Sequence, residues 1–457
     1  MSLRPLRSKS FDISAKILAV ALSFAGILPA QAPPPVTLDS SLAAFVGVNV
    51  VPMDRDIVLA DQTVLVRNGR IAHVGPRSST VVPGSARRID GRNKWLIPGL
   101  VDAHVHLAYI LNAKHNPLLL RLFVAEGVTT VVNLLGLPEH VDLRAKVARG
   151  EVFGPTIFTS GFYVGEPFTK TAAQADSAVR QQRATGFDLV KLHGTISAEA
   201  FQSLATAAKR EEIPLVGHLP RNLGLKFALD AGQSMIAHAE EYLYGWFGFG
   251  RTLNSREQVI ALVDTAAALT KKAGAWVTPT LFVFGAIPAQ RENLDSVLTT
   301  PAMKRIPDVL KFDWMPDRNS YRRIPLENMQ GFRDQYALLK RVTKALHTAG
   351  VPLLMGTDAM ATAAVLPGTS AHQELHALVG AGLSPYEALK TATVNAAVFL
   401  RQPGEFGVVA PGSRADLVML DANPLQQIGA TSRISGVMLR GRWLPKAALD
   451  SLRNAIP

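Results

Sequence analysis

The feature that most constrains this chain is a rhythm in its middle. Eight short apolar runs of β type recur at 95–101, 129–135, 156–160, 189–192, 215–217, 235–237, 276–278 and 353–355. Helical stretches such as 172–184, 198–211 and 257–273 lie between most of them. A helix between two strands carries the chain back across the sheet, so the strands it joins run parallel. Eight such units in series predict a closed parallel barrel rather than an open doubly wound sheet. Two more helices, 370–381 and 385–400, end the series, with Ser384 as N-cap before Pro385. Residues 286–330, rich in Pro, Arg, Asp and Asn, interrupt the rhythm between the seventh and eighth units. A long insertion there is expected to be a lid or substrate wall, or a helical decoration facing solvent.

The two ends of the chain read differently. Strands are expected at 48–51, 63–67 and 70–74, the last two joined by Asn68-Gly69, a strong two-residue hairpin signal. Strands return at 416–420 and 436–440, the second followed by a Gly441-Arg442 turn. The expected fold is therefore α/β: a (β/α)8 TIM barrel over 98–403, with a small β-sandwich domain assembled from 33–97 and 404–457. With 48% hydrophobic and 18% charged residues, the chain can bury a core of that size and is not disordered.

Residues 1–32 read as an export signal. Arg4, Arg7, Lys9 and Lys16 precede an apolar run at 17–28, and Ala30-Gln31-Ala32 supplies small residues for a peptidase. The run is short for a bilayer span, and no other stretch is apolar enough, so the expected product is exported, periplasmic or secreted, with no stable membrane insertion. Cleavage would remove four basic residues and Asp12, taking the formal charge from +12 to +9. No basic cluster is interleaved with aromatics, so nucleic acid is not an expected partner. The absence of cysteine excludes disulfides and thiolate metal sites.

Metal-binding side chains collect at the carboxyl ends of the expected strands, the face on which barrel sites are built. His104 and His106 close the first strand and, by strand alternation, point the same way. Lys191 sits at the fourth, His218 at the fifth, His238 at the sixth and Asp358 at the eighth. Any one of these alone would be read as a structural residue. Their recurrence on independent elements is what points to a site.

The run Pro98-Gly99-Leu100-Val101-Asp102-Ala103-His104-Val105-His106 resembles the opening signature of the amidohydrolase superfamily. Gly412-Ser413-Arg414-Ala415-Asp416-Leu417-Val418 is similar to its return to the small β-domain. Leu366-Pro367-Gly368-Thr369 and Thr391-Ala392-Thr393-Val394-Asn395-Ala396-Ala397 look most like the imidazolonepropionase-related branch, which includes Xaa-Pro-dipeptidase-like enzymes. The resemblance implies two divalent cations, for which zinc suits the histidine ligands best. His104, His106 and Asp358 would hold the more buried cation, and His218 and His238 the more exposed one. Lys191, carboxylated by carbon dioxide, would bridge them. A water activated between the cations would attack an amide carbonyl, with Asp358 as general base.

The expected substrate is a small molecule, a dipeptide or an N-acyl amino acid. The same centre would also serve a lactone, carbamate or phosphoester hydrolase. Tyr242, Tyr244, Arg221 and His372 are candidate substrate contacts, and His193 a structural neighbour. Many relatives carry Arg-Asp after the second strand's Thr-Thr-Val, where this chain has Val131-Val132-Asn133. Homo-oligomerisation is left open.

Overall fold

The computed structural model describes residues 42–107, 110–247 and 256–454. The expected export signal, 1–32, lies outside them. Among the described residues no helix is long and apolar enough to cross a membrane.

The N-terminal strands are β1 (Ala43–Val50), β2 (Leu59–Arg67), β3 (Arg70–Pro76), β4 (Arg87–Asp90) and β5 (Trp95–Pro98). Asn68 and Gly69 join β2 to β3 with φ of 50° and 76°, the doubly left-handed backbone of the expected tight turn. Then come β6 (Leu100–Val105), α1 (Asn116–Ala125), β7 (Val128–Asn133), α2 (Pro138–Ala148), β8 (Thr156–Thr159), α3 (Ala172–Thr185), β9 (Val190–Leu192) and α4 (Ala198–Arg210). β10 (Leu215–Gly217), α5 (Gly224–Ala231), β11 (Met235–Ala237), α6 (Arg256–Ala273) and β12 (Trp276–Thr278) continue the alternation. The last third holds α7 (Leu281–Glu292), α8 (Leu294–Leu298), α9 (Met329–Thr348), α10 (Thr369–Gly380), α11 (Pro385–Thr391) and α12 (Val394–Phe399). β13 (Leu417–Leu420), β14 (Ile434–Leu439), β15 (Arg442–Pro445) and α13 (Lys446–Asn454) end the chain.

The first expected run divides at Gly99. β5 belongs to the terminal sheet, where Leu96 faces Met419 of β13, and β6 opens the parallel series. Pairing joins the strands of both chain ends into one sheet of eight, in the order β15-β14-β13-β5-β1-β2-β3, with β4 beside β1. The parallel strands form β6-β7-β8 and β9-β10-β11-β12, linked by bridges Ser160–Leu189 and Val164–Leu192. The eighth run makes bridges rather than a full strand: Leu353 pairs with Val277 of β12, and Ala359 with Val105 of β6.

Alternation sorts each strand's side chains between two cores. Val101, Val132, Leu189, Val216, Met235 and Leu354 form the inner cluster. Leu100, Val131, Val190, Leu215 and Ile236 pack outward against helices. Burial on both faces is why these strands are continuous apolar runs instead of alternating ones. α4 illustrates the helical layer. Ser197 caps it by accepting from the Ala200 amide at 3.2 Å, and Phe201, Leu204 and Ala208 bury one stripe. Each large side chain buried there contributes roughly 1.5–3 kcal/mol.

Two helical expectations change. The helix expected at 385–400 is α11 and α12, broken at Thr393, whose φ and ψ of −138° and −96° are not helical. Ser384 caps α11 as expected, accepting from the Glu387 amide at 3.2 Å. The 286–330 insertion is built of α7, α8 and a string of single turns, with Trp314 and Met303 buried against Leu118 and Leu122 of α1.

Candidate functional site

The candidate side chains rise from the carboxyl ends of the parallel strands. On β6 a register irregularity between Asp102 and Val105 turns the chain. Val105 then faces the helices, while the rings of His104 and His106 sit 5.2 Å apart. His104 is also 4.7 Å from the His238 ring, and His238 is 4.9 Å from His218. Asp358 follows the last strand segment in a left-handed conformation, φ 58°, and its amide donates to the His104 carbonyl at 2.7 Å. Its Oδ1 lies 2.7 Å from His106 Nε2 and 3.1 Å from His104 Nε2. One ligand atom from each of His104, His106 and Asp358 falls within 4.8 Å of the others.

Hydrogen bonds around the other two histidines assign their tautomers. The Thr280 hydroxyl donates to the Pro279 carbonyl at 2.8 Å, so it accepts from His238 Nδ1 at 2.7 Å. His218 Nδ1 donates to Glu241 Oε1 at 2.7 Å. Both rings therefore keep a bare Nε2 lone pair, as ligating histidines do when an outer partner holds the other nitrogen. Burial holds His218 and His238 well below the ordinary imidazole value and takes His104 down to about 3. All three are neutral, the form that binds a cation. Burial alone would raise Asp358, but the adjacent His104 and His106 outweigh it and hold its carboxyl well below the ordinary range.

Lys191 is 3% exposed, its Nζ has no hydrogen-bond partner among the described residues, and burial lowers it to about 8. Nδ1 of His104 and Nδ1 of His106 also lack hydrogen-bond partners among the described residues. Buried polar atoms are rarely left so, and this donor set of imidazoles, a carboxylate and an amine fits divalent cations.

Supporting residues fix the frame. Asp102 is fully buried and accepts from the Thr357 amide at 2.9 Å and hydroxyl at 2.6 Å, tying β6 to the last strand segment. Burial raises its carboxyl to about 7, against those hydrogen bonds. Asn133 accepts from the Leu107 amide at 3.0 Å and so braces the residue after His106. Glu241 takes the Leu219 amide at 3.1 Å and Arg221 at 3.4 Å, and burial raises it to about 7.

Two expected substrate contacts are corrected. Tyr242 is fully buried and donates to Thr270 Oγ1 at 2.9 Å, because the turn after His238 points it into the helical layer. His372 lies on the face of α10 turned toward α1, with ring nitrogens 3.1 Å from the Thr431 hydroxyl and from the Glu126 carbonyl. Tyr244 and Arg221 do lie beside the histidines: the Arg221 guanidinium sits 4.3 Å over the Tyr244 ring, and the Tyr244 hydroxyl donates to Glu240. His193 packs 4.5 Å from His218 and 5.0 Å from Tyr163.

Sequence reasoning missed Thr280, Thr357 and Glu374. Glu374 accepts the amides of Leu281 and Phe282 at 2.9 and 2.7 Å and caps α7 from across the fold. Thr280 and Thr357 do stand at strand ends among the ligands, a usable signal.

Comparison with known proteins places the chain in a family. The Amidohydrolase family model matches residues 95–444. An imidazolonepropionase of Rubrobacter xylanophilus is 25% identical over 426 residues, covering 85% of this chain and 92% of its own. Two solved structures superpose well. A putative prolidase from Bifidobacterium longum is 25% identical with TM-score 0.66, covering 91% of this chain and 98% of its own. A Xaa-Pro dipeptidase crystallised with methionine in its active site is 19% identical with TM-score 0.67, covering 89% of this chain and 100% of its own.

Proposed function

This chain belongs to the amidohydrolase family, a hydrolase of carbon–nitrogen bonds, and from that premise we propose that it is a binuclear metal enzyme cleaving the amide of a dipeptide or N-acyl amino acid. The observation that carries the reading is the convergence of His104, His106 and Asp358 within 4.8 Å, beside an unpartnered Lys191 amine. In this reading the parallel strands and their bridges form a (β/α)8 barrel over 98–403. The terminal sheet folds over as a β-sandwich domain from 33–97 and 404–457.

His104, His106 and Asp358 would hold one cation and His218 and His238 the other, with Lys191 bridging as a carbamate. Formation of that carbamate requires a neutral amine, and a buried Nζ without an acceptor favours the neutral form. Bound divalent cations supply Lewis acidity, lowering the pKa of water and polarising a carbonyl. The chain's own groups do the rest. Thr280 and Glu241 hold the His238 and His218 rings with Nε2 inward. Asp358 takes the proton of the attacking water and delivers it to the leaving nitrogen, which breaks the C–N bond. Of the expected substrate contacts, Arg221 and Tyr244 are kept.

The test is hydrolysis of a panel of dipeptides and N-acyl amino acids by zinc-loaded protein, with Lys191→Ala as control. Turnover of a subset, lost in Lys191→Ala and partly restored by short carboxylic acids, is expected. Turnover confined to lactones, carbamates or phosphoesters would refute the amide reading. We also propose export with cleavage before Pro33, which N-terminal sequencing of periplasmic protein checks.

A further inference from the structure

Beside the histidines stands a cluster of aromatic rings that the proposed chemistry does not use. Past β8 the chain runs on alongside β9, bridged at Ser160–Leu189 and Val164–Leu192. The Val164 amide donates to the Lys191 carbonyl at 2.7 Å, and the His193 amide donates to the Val164 carbonyl at 3.0 Å. Val164 and Leu192 both pack outward into the helical core. Neighbours along an extended chain point to opposite sides, so Tyr163, Lys191 and His193 point inward, toward the site. Ring distances agree with that alternation. Tyr163 lies 5.0 Å from His193, and His193 lies 4.5 Å from His218, one of the proposed ligands.

The same tyrosine is also a wall of a cleft of about 320 Å³. Phe162 stacks on Tyr163 at 4.4 Å, and Phe168 meets these two rings edge-on at 5.2 and 5.6 Å. Leu137 and Phe187 extend the apolar lining, and no Lys, Arg, His, Asp or Glu among the described residues lines the cleft. Its size is at the small end of ligand pockets, which run from roughly 300 to 1,000 Å³, and suits one ring better than a long chain. Phe168 is 47% exposed, so apolar surface faces the opening. An uncharged, ring-lined hollow that shares a wall with the site favours an uncharged, apolar guest.

The rings are held in place before any guest arrives. Gln182 of α3 donates to the Phe162 carbonyl at 2.8 Å. The Glu166 amide donates to the Thr195 carbonyl at 2.8 Å, and the Thr195 hydroxyl donates back to Glu166 at 3.0 Å. A β-carbon on Gly165 would lie 2.2 Å from the His193 carbonyl oxygen, so the loop rests directly on the segment that follows Lys191. A platform fixed in this way orders little on binding, which favours affinity.

We propose that this cleft is a specificity subsite for an aromatic or bulky apolar group of the substrate, with Tyr163 and Phe168 covering that group. The inference rests on the amide-hydrolase reading and narrows it: dipeptides or N-acyl amino acids bearing such a side chain are preferred over those of alanine size. If the rings only brace their loop, removing one weakens every ligand alike.

Binding separates these roles without needing turnover. Three phosphinate dipeptide isosteres are titrated calorimetrically into the metal-loaded full chain: one with methyl side chains on both sides of phosphorus, one with benzyl on the acyl side, and one with benzyl on the amine side. Wild type is expected to bind one benzyl compound at least about tenfold more tightly than the methyl compound. Phe168→Ala removes a half-exposed ring, and Ala178→Leu fills the cleft from α3. Both are expected to shrink the benzyl advantage to within about twofold while binding the methyl compound as wild type does. Tyr163→Phe, which keeps the ring, should keep the advantage. Metal content and melting temperature are recorded for each variant. The proposal is overturned by no benzyl advantage in wild type, by binding of none of the three, or by equal weakening of all three in the variants. An advantage undiminished in folded, metal-bound Phe168→Ala or Ala178→Leu overturns it as well. Cleavage of dipeptides without a benzyl advantage would leave the amide reading standing and remove the subsite. A benzyl advantage that the variants lose, in a protein that cleaves neither dipeptides nor N-acyl amino acids, would do the reverse.

Discussion

At the scale of single residues, chemistry and support are separable by substitution. Asp358 touches both His104 and His106 and is the proposed proton carrier, so Asp358→Asn is expected to lower kcat by about 100-fold or more. Steady-state kinetics with a parallel melting curve checks this, and near-normal turnover would remove Asp358 from that role. Tyr242 gives the opposite expectation. Its hydroxyl serves Thr270, so Tyr242→Phe is expected to reduce stability by about 1 kcal/mol and leave kcat/KM unchanged. Urea unfolding and kinetics on one preparation measure both. The difference between these residues also shows what the sequence could reveal. His104 and His106 were legible because alternation along a strand dictates a common face. Asp358, His218 and His238 were legible because each ends a strand. Tyr242 and Tyr244 were not distinguishable, because they follow a left-handed residue, His238 with φ 74°, that rotates the turn in a way no period anticipates. His372, also expected at the substrate, instead has its ring nitrogens on Thr431 and on the Glu126 carbonyl, because the loop after Asp358 carries its helix to α1.

Among elements, the last strand segment is the one most closely fitted to the site. A β-carbon on Gly356 would lie 2.4 Å from Thr278 Cγ2, 2.8 Å from His104 Cβ and 3.0 Å from the His104 amide nitrogen. Gly356→Ala therefore requires β6 or β12 to move, at about 1–3 kcal/mol for overpacking. The displaced His104 should weaken metal retention, and metal analysis after dialysis, set beside the melting curve, tests it. A variant that keeps both metal and stability would contradict the close packing described. The parallel strands themselves were legible as apolar runs, because burial on both faces leaves no other composition. The eighth was legible as a run but forms bridges only. The 286–330 insertion was legible as an interruption and not as a structure, because its turns are held by distant partners such as Thr362 and α1.

For the whole molecule, a cation that binds only the folded chain adds stability by mass action. Removal of metal with a chelator is expected to abolish hydrolysis and lower Tm by several degrees, and readdition of zinc to restore both. Calorimetry reads the shift, and an unchanged Tm would mean that the histidine cluster holds nothing. The sheet made from both chain ends has a different kind of consequence, one of timing. β5 waits for β13, and Leu96 meets Met419 only after the entire barrel segment has been synthesised. A ribosome still extending the chain presents an unfinished edge, and contacts of such long sequence separation form late. The terminal sheet thus stays unclosed until its last strands emerge, the state that the proposed export would require of it.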